Sequence, residues 1–315
     1  MIASRRAALA ALAALAAGTL AGCDRPVTLA SGGEVPSATP GAAAGSPAGA
    51  ASRAGAASRA GAGSRTPGLV RVNVPHAPAV ALTRAQVVDR YGHLRPHTWG
   101  FGGPGVVRGL GTSRRVIALT FDACGGYGGS GYDHALISFL RRREVPATLF
   151  LNSRWIDANP AAFGRLAAEP LFEIANHGTR HLPLSVTGRS AYDIGGTRNA
   201  GQVYDEVAGN QAKLTRRLGV PPRFFRAGTA YSDDVAARIV TAMGVRLVTF
   251  SVNGDAGATF TPGEVRSTVA GAPGGSVVIG HMNHPEGGTA EGIAAAVPYL
   301  LARGYRFVRL SDELR

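Results

Sequence analysis

Two imidazoles follow an apolar run in the middle of the chain. In Asn176-His177-Gly178-Thr179-Arg180-His181 the histidines stand four residues apart, directly after Phe172 to Ala175. On one helical turn that spacing puts both rings on the same side, where they can face a single divalent cation, and neutral imidazole is the commonest transition-metal ligand. Taken alone, the same spacing also fits two surface histidines of a loop. The residues elsewhere in the chain decide between these readings. Asp122 and Asp255 are carboxylates that can accept or hold a proton, Arg226 is a permanent cation, His281 and His284 are imidazoles that titrate near neutrality, and Cys124 is a thiol. Hydrolysis of an unreactive carbonyl bond needs such a set: an electrophile, a base for water and an acid for the leaving group.

The elements that must position these groups follow a regular alternation after Gly105. Strands are predicted over Val116 to Phe121, Ala147 to Asn152, Phe172 to Asn176, Phe224 to Ala227, Arg246 to Val252, Ser276 to His281 and Arg306 to Leu310. Helices are predicted between them, near Tyr132 to Arg143, Pro160 to Ala168, Asp205 to Leu218, Ser232 to Met243, Pro262 to Ala270 and Thr289 to Arg303. Ser232 is the expected cap of the helix that Gly244 ends, Thr261-Pro262 opens the next, and Gly304 closes the last. Near-continuous apolar strands separated by helices imply a parallel sheet covered on both faces, and about seven such repeats favour a βα barrel over an open sheet. Catalytic groups in such barrels sit at strand C-termini. Asp122, His177 with His181, Arg226, Asp255, and His281 with His284 all fall at or just past predicted strand ends. That common placement favours a metal role for the histidine pair.

The rest of the chain sets the context. Met1 to Arg6 followed by the Ala/Leu run Ala7 to Ala17 reads as an export signal, too short for a membrane span. Leu20-Ala21-Gly22-Cys23 resembles a bacterial lipobox, which implies cleavage after residue 22 and a lipid anchor on Cys23. Cys124 then has no disulfide partner, since the chain has only 2 cysteines. Residues 23–67 consist of Ala, Gly, Ser, Pro and Arg and read as a disordered tether with a root-mean-square reach on the order of 35 Å. Residues 68–115 read as an arm, with a short helix near Thr83 to Tyr91, leading into a domain over 116–315. The formal charge of +13 comes from dispersed arginines without interleaved aromatics, which argues against nucleic acid as a partner. Arg141-Arg142-Arg143, the one tight basic cluster, closes a predicted helix and complements its dipole.

The order Thr120-Phe121-Asp122, His177-Gly178-Thr179-Arg180-His181, Phe225-Arg226, Asp255 and His281 resembles the polysaccharide deacetylase family, the NodB-homology domain of carbohydrate esterase family 4. The resemblance covers roughly Val116 to Leu310. It implies a distorted (β/α)7-type barrel that removes acetyl groups from N-acetylated sugars with a bound divalent metal, zinc by preference, with cobalt or nickel also compatible with the ligands. By the same resemblance His177 and His181 are metal ligands, Asp122 is the general base and Arg226 orients it. His281 is the general acid, and Asp255 is its carboxylate partner.

Two positions depart from the family pattern. A second aspartate, used as a third metal ligand by many members, is replaced here by Ala123. Cys124 is a candidate for that third ligand, as are Asp133, His134, His284 and water alone. After Arg226, Ala227-Gly228-Thr229-Ala230-Tyr231 replaces a shorter Arg-x-Pro-Tyr pattern, so Tyr231 is the candidate substrate-binding aromatic. The loop Gly125 to Gly129 reads as a mobile wall, with Tyr127 and Tyr132 as candidate sugar-stacking rings. The leading expectation is an exported, lipid-anchored, metal-dependent de-N-acetylase acting on a cell-envelope or extracellular glycan. The alternatives are a glycan-binding lipoprotein without catalysis, motivated by Ala123, and an O-acetyl esterase or amidase acting on another substrate.

Overall fold

A computed structural model describes residues 82–314. The export signal over 1–22, the anchor on Cys23, the tether over 23–67 and the first part of the arm, 68–81, lie outside the described residues. In chain order the elements are α1 (Arg84–Tyr91), β1 (Trp99–Gly100), β2 (Val106–Val107), β3 (Val116–Ala123), α2 (His134–Arg142), β4 (Ala147–Leu151), α3 (Ser153–Ala158), α4 (Pro160–Ala167) and β5 (Phe172–Asn176). They continue with α5 (Ala200–Leu218), β6 (Phe224–Phe225), β7 (Ser232–Asp233), α6 (Asp234–Ala242), β8 (Arg246–Val248), β9 (Val252–Asn253), α7 (Pro262–Ala270), β10 (Ser276–His281), α8 (Thr289–Ala302), β11 (Arg306–Phe307) and α9 (Leu310–Glu313).

The main sheet has the order β2-β8-β6-β5-β4-β3-β10-β9, and β11 adds to the N-terminal end of β3. Its ladders are all parallel, as expected when helical crossovers cover both faces. All eight residues of β3 are buried, which puts it at the centre of the apolar core. The distorted (β/α)7-type barrel is therefore present, in the form of a curled sheet. The run Arg246 to Val252, predicted as one strand, divides in two: β8 lies near one end of the strand order and β9 at the other. Between them Thr249 N–H donates to Val107 and Ser251 N–H to Val277, so this stretch carries the chain from one edge of the curl to the other. Sequence periodicity sees a continuous apolar run and cannot register that its hydrogen bonds change partner.

Helix boundaries follow side-chain caps. Asp233, not Ser232, caps α6, accepting from Ala236 N–H with Oδ1 while its Oδ2 accepts from Val186 N–H. Asn199 caps α5, which begins at Ala200, five residues before the predicted start at Asp205. Asn152 caps the unpredicted α3, and Thr261 with Glu264 makes a reciprocal capping box on α7. Leu310, expected to end a strand, instead opens α9.

The arm is docked on the barrel. Val87 and Tyr91 of α1 are buried in a cluster with Val203 and Val207 of α5 and Ile239 of α6, and Arg84 pairs with Asp205 at 3.0 Å. Further on, β1 pairs antiparallel with β7, and the Asp234 carboxylate accepts from the His97 and Thr98 amides. No helix among the described residues is long and apolar enough to cross a membrane.

Candidate active site

The strand register delivers the polar groups to one rim. Asp122 on β3 is the register partner of His281 on β10, while Leu151, Asn176 and Phe225 align across β4, β5 and β6. Arg226 follows Phe225 directly and is fully buried. Its Nη1 donates to Asp122 Oδ1 at 2.6 Å, its Nη2 donates to Thr120 Oγ1 and to the Thr249 carbonyl, and its Nε donates to the Val248 carbonyl. The guanidinium also lies over the Phe150 ring, 4.0 Å from its centroid. Burial pulls the guanidinium pKa down and Asp122 only partly restores it. These contacts fix one carboxylate oxygen of Asp122 and leave Oδ2 facing the histidines.

The histidine pair sits on an irregular loop and not on the helical turn that its spacing suggested. After Asn176 the chain leaves β5, Gly178 adopts φ +79 and His181 φ +63, and the two imidazoles meet edge to face with centroids 4.8 Å apart. Left-handed backbone at a non-glycine residue is costly and persists where the surroundings over-determine it. Glu206 on α5 does much of this: its carboxylate accepts from Arg180 N–H at 2.9 Å and from Leu182 N–H at 3.2 Å, bracketing His181. Burial raises the Glu206 pKa against the pull of those amides. Asn152 donates to the His177 and Gly178 carbonyls, and Asn176 Oδ1 accepts from Gly178 N–H and from Asn210. Gly228 packs so closely that a Cβ there would lie 2.3 Å from the His181 carbonyl oxygen, a position open only to glycine.

His177 Nδ1 lies 2.9 Å from the Arg226 carbonyl, which can only accept, so Nδ1 carries the proton. Its Nε2 then turns towards Asp122 Oδ2 at 3.4 Å and Cys124 Sγ at 3.8 Å. Two lone-pair oxygen or nitrogen atoms and a sulfur converge with no fixed donor among them, an arrangement that a cation or an added proton satisfies. Burial disfavours charge on His177, yet Asp122 and Cys124 raise its pKa. Burial likewise works against a thiolate, yet His181 and its neighbouring imidazoles hold the Cys124 pKa well below the usual thiol range. Ligand atoms of Cys124, His177 and His181 all lie within 4.8 Å of one another. Among the described residues this is the only group of three or more His, Cys, Asp or Glu side chains so placed. The donor set, two imidazoles and a thiol, with one imidazole braced by a backbone carbonyl, fits a transition-metal ion.

The other candidates for the third position are engaged elsewhere. Asp133 caps α2 through Leu136 N–H, His134 is exposed against Tyr132, and His284 pairs with Glu286 at 2.9 Å. Cys124 reaches the histidines although β3 ends one residue earlier, at Ala123.

The partly buried His281 and the buried Asp255 form a second pair. Asp255 Oδ1 lies 2.9 Å from His281 Nδ1, and Oδ2 accepts from His281 N–H at 2.6 Å and from Thr289 Oγ1 at 2.9 Å. Burial opposes charge on both, but their mutual attraction wins: the Asp255 pKa is lowered and that of His281 is raised well above its ordinary value. The imidazole is thus held with Nδ1–H on the carboxylate and Nε2 free to carry a transferable proton.

Tyr231 lies beside the histidine loop, its carbonyl accepting from Leu184 N–H at 3.0 Å. Its ring packs 4.4 Å from that of Phe101, 5.5 Å from Trp99 and 5.6 Å from Tyr192. Thr229 and Ala230, just before it, both have left-handed φ values, 65 and 60. Tyr132 is buried against Trp155, so it does not present a ring to a sugar, whereas Tyr127 is fully exposed. The groups that sequence reasoning missed are Glu206, Thr289 and the arm aromatics. A glutamate on an amphipathic helix reads as a solvated face, and nothing local signals that it is buried under a loop.

Parallel strands that bring carboxylate, guanidinium and imidazole groups to one end of a curled α/β sheet define the NodB-homology fold. The sequence profile of that class, polysaccharide deacetylase, matches residues 109–248. An uncharacterised protein of Streptomyces coelicolor is 30% identical over 203 residues, 63% of this chain and 71% of that protein. A peptidoglycan-N-acetylglucosamine deacetylase of Bacillus cereus is 26% identical, covering 64% of this chain and 90% of that one. Among solved structures, a carbohydrate esterase family 4 pseudoenzyme from Bacillus anthracis superposes with a TM-score of 0.56 at 18% identity, over 68% of this chain and 70% of its own. The chain belongs to the polysaccharide deacetylase family.

Proposed function

We propose that the protein is a metal-dependent hydrolase that removes N-acetyl groups from a polysaccharide of the cell envelope. The observation that carries this reading is the pairing of a guanidinium-fixed carboxylate, Asp122, with a carboxylate-fixed imidazole, His281, in register on adjacent strands. Cys124, His177 and His181 would hold the metal. An ion bound there supplies Lewis-acid polarisation of the acetyl carbonyl and acidifies water. Asp122 takes the proton of the attacking water on Oδ2, while Arg226 holds the carboxylate in place through Oδ1. His281 gives its Nε2 proton to the departing nitrogen, and Asp255 holds the ring in that orientation. A C–O bond forms to the acetyl carbon, the C–N bond breaks, and acetate and a free amine leave. Tyr231 lines the substrate side.

Both proton-handling pairs are intact, which favours catalysis over a glycan-binding role despite Ala123. The glycan assignment draws on the Bacillus cereus relative, which bears the name of a peptidoglycan deacetylase. Export and a lipid anchor at Cys23 complete the reading, on the strength of Leu20-Ala21-Gly22-Cys23. Acetate release from N-acetylglucosamine oligomers, compared with acetylated xylan, tests the reaction. Turnover of the oligomers that stops with a chelator supports it, and turnover of xylan alone would replace it with the esterase reading. Loss of membrane partition on Cys23→Ser tests the anchor.

A further inference from the structure

The arm contributes more than packing at the mouth of the site. Three aromatic rings gather around Tyr231, and two of them, Trp99 and Phe101, come from the arm and not from the strand–helix repeat. The inner end of this group is structural: Phe101 packs on Phe250, 5.1 Å away, over Ala230 and Ile279. The outer end is not. Tyr192 is 65% exposed and stands edge-on to Tyr231 on a tight turn closed by the Ala191–Ile194 bridge. Tyr192 and Asp193 both take left-handed φ values there, 51 and 60. A turn strained at two non-glycine residues to present an exposed ring is not explained by burial. Trp99 is half-buried, with the Arg189 guanidinium 5.3 Å above its ring.

The position of this platform is fixed by the site. Leu184, three residues past His181, donates to Tyr231, and Gly228 lies against the His181 main chain. On the other side Ile279, beneath the platform, is two residues from His281. The Phe101 carbonyl accepts from Thr249 Oγ1, and the Thr249 carbonyl accepts from Arg226. Amphipathic aromatic rings with a guanidinium over one of them suit a partner that has an apolar face and a hydroxylated rim. A pyranose ring has both.

We propose that Trp99, Tyr192 and Tyr231 form a stacking subsite for a pyranose next to the residue being deacetylated, so that the protein acts on oligomers and not on single sugars. The subsite rests on the glycan reading above but is separable from it. The chain has 2 tryptophans, and Trp155 is fully buried with its indole N–H on the Gly131 carbonyl, so a glycan-dependent emission change reports on Trp99. The test titrates full-length protein, with chelator present to stop turnover, with N-acetylglucosamine and its tetramer. The kinetic arm measures acetate release from the tetramer by wild type, Trp99→Ala and the exposed-site variant Tyr192→Ala.

A saturable emission change with tetramer and not monomer, absent in Trp99→Phe, is the expected result. Each alanine variant is expected to raise KM for tetramer about tenfold while kcat moves less than about threefold. Acetate release with the same KM in wild type and both variants overturns the subsite and leaves the deacetylase reading standing. Tetramer binding seen at Trp99 without acetate release from any glycan supports the subsite and removes the deacetylase reading.

Discussion

Asp122 and Arg226 meet at 2.6 Å with both side chains buried, and every hydrogen-bonding nitrogen of the guanidinium has a partner. Removing one partner of such a pair leaves an uncompensated buried charge. Arg226→Met is therefore expected to destabilise the fold by about 3–5 kcal/mol, read from denaturant midpoints. Arg226→Lys is expected to recover only part of that loss, because an ammonium cannot span Asp122, Thr120 and the two carbonyls together.

Glu206 touches no reacting group, yet it holds the amides on either side of His181. Glu206→Ala is expected to weaken metal affinity by about 10–100-fold, measured by chelator competition. The Arg180 and Leu182 amides also lose their acceptor, so the thermal midpoint is expected to fall.

The Asp255–His281 pair makes a pH prediction. Burial opposes the imidazolium, but Asp255 raises the His281 pKa well above its ordinary value. A raised folded-state pKa holds the acid form to higher pH than a free imidazole would and loses it as pH rises through that value, so activity should fall on the alkaline side. Asp255→Asn is expected to move that alkaline limb to lower pH and to reduce kcat by about 10²–10⁴-fold.

Cys124 stands where its sulfur faces His177 and His181. Cobalt-substituted protein is expected to show a sulfur-to-metal charge-transfer band in the near ultraviolet, and Cys124→Ser to lose it while retaining the fold by circular dichroism. A cobalt spectrum without that band would remove the thiol from the ligand set.

Much of this arrangement was legible in the sequence because strand C-termini mark the rim of a parallel sheet. Phe172 to Asn176 and Ser276 to His281 were bounded from the sequence as the structure has them, and each delivers a site histidine. The geometry of the histidine pair was not legible. Its spacing fits a helical turn, but Gly178 and the Glu206 carboxylate, distant in sequence, bend the loop another way. The arm was equally opaque, since Trp99 and Phe101 acquire their place only through β1 pairing with β7. Cys124 was visible as a candidate from its position after Asp122, but only tertiary packing brings it to the histidines.

In the proposed reaction Asp122 serves the chemistry and not the metal. Wild type and Asp122→Asn, prepared side by side under metal-replete conditions, should be assayed for bound metal and for acetate released from an N-acetylglucosamine tetramer. Comparable metal in both proteins and acetate from wild type alone are the expected results. Metal-loaded wild type that releases no acetate, or equal release from both proteins, would contradict that role for Asp122.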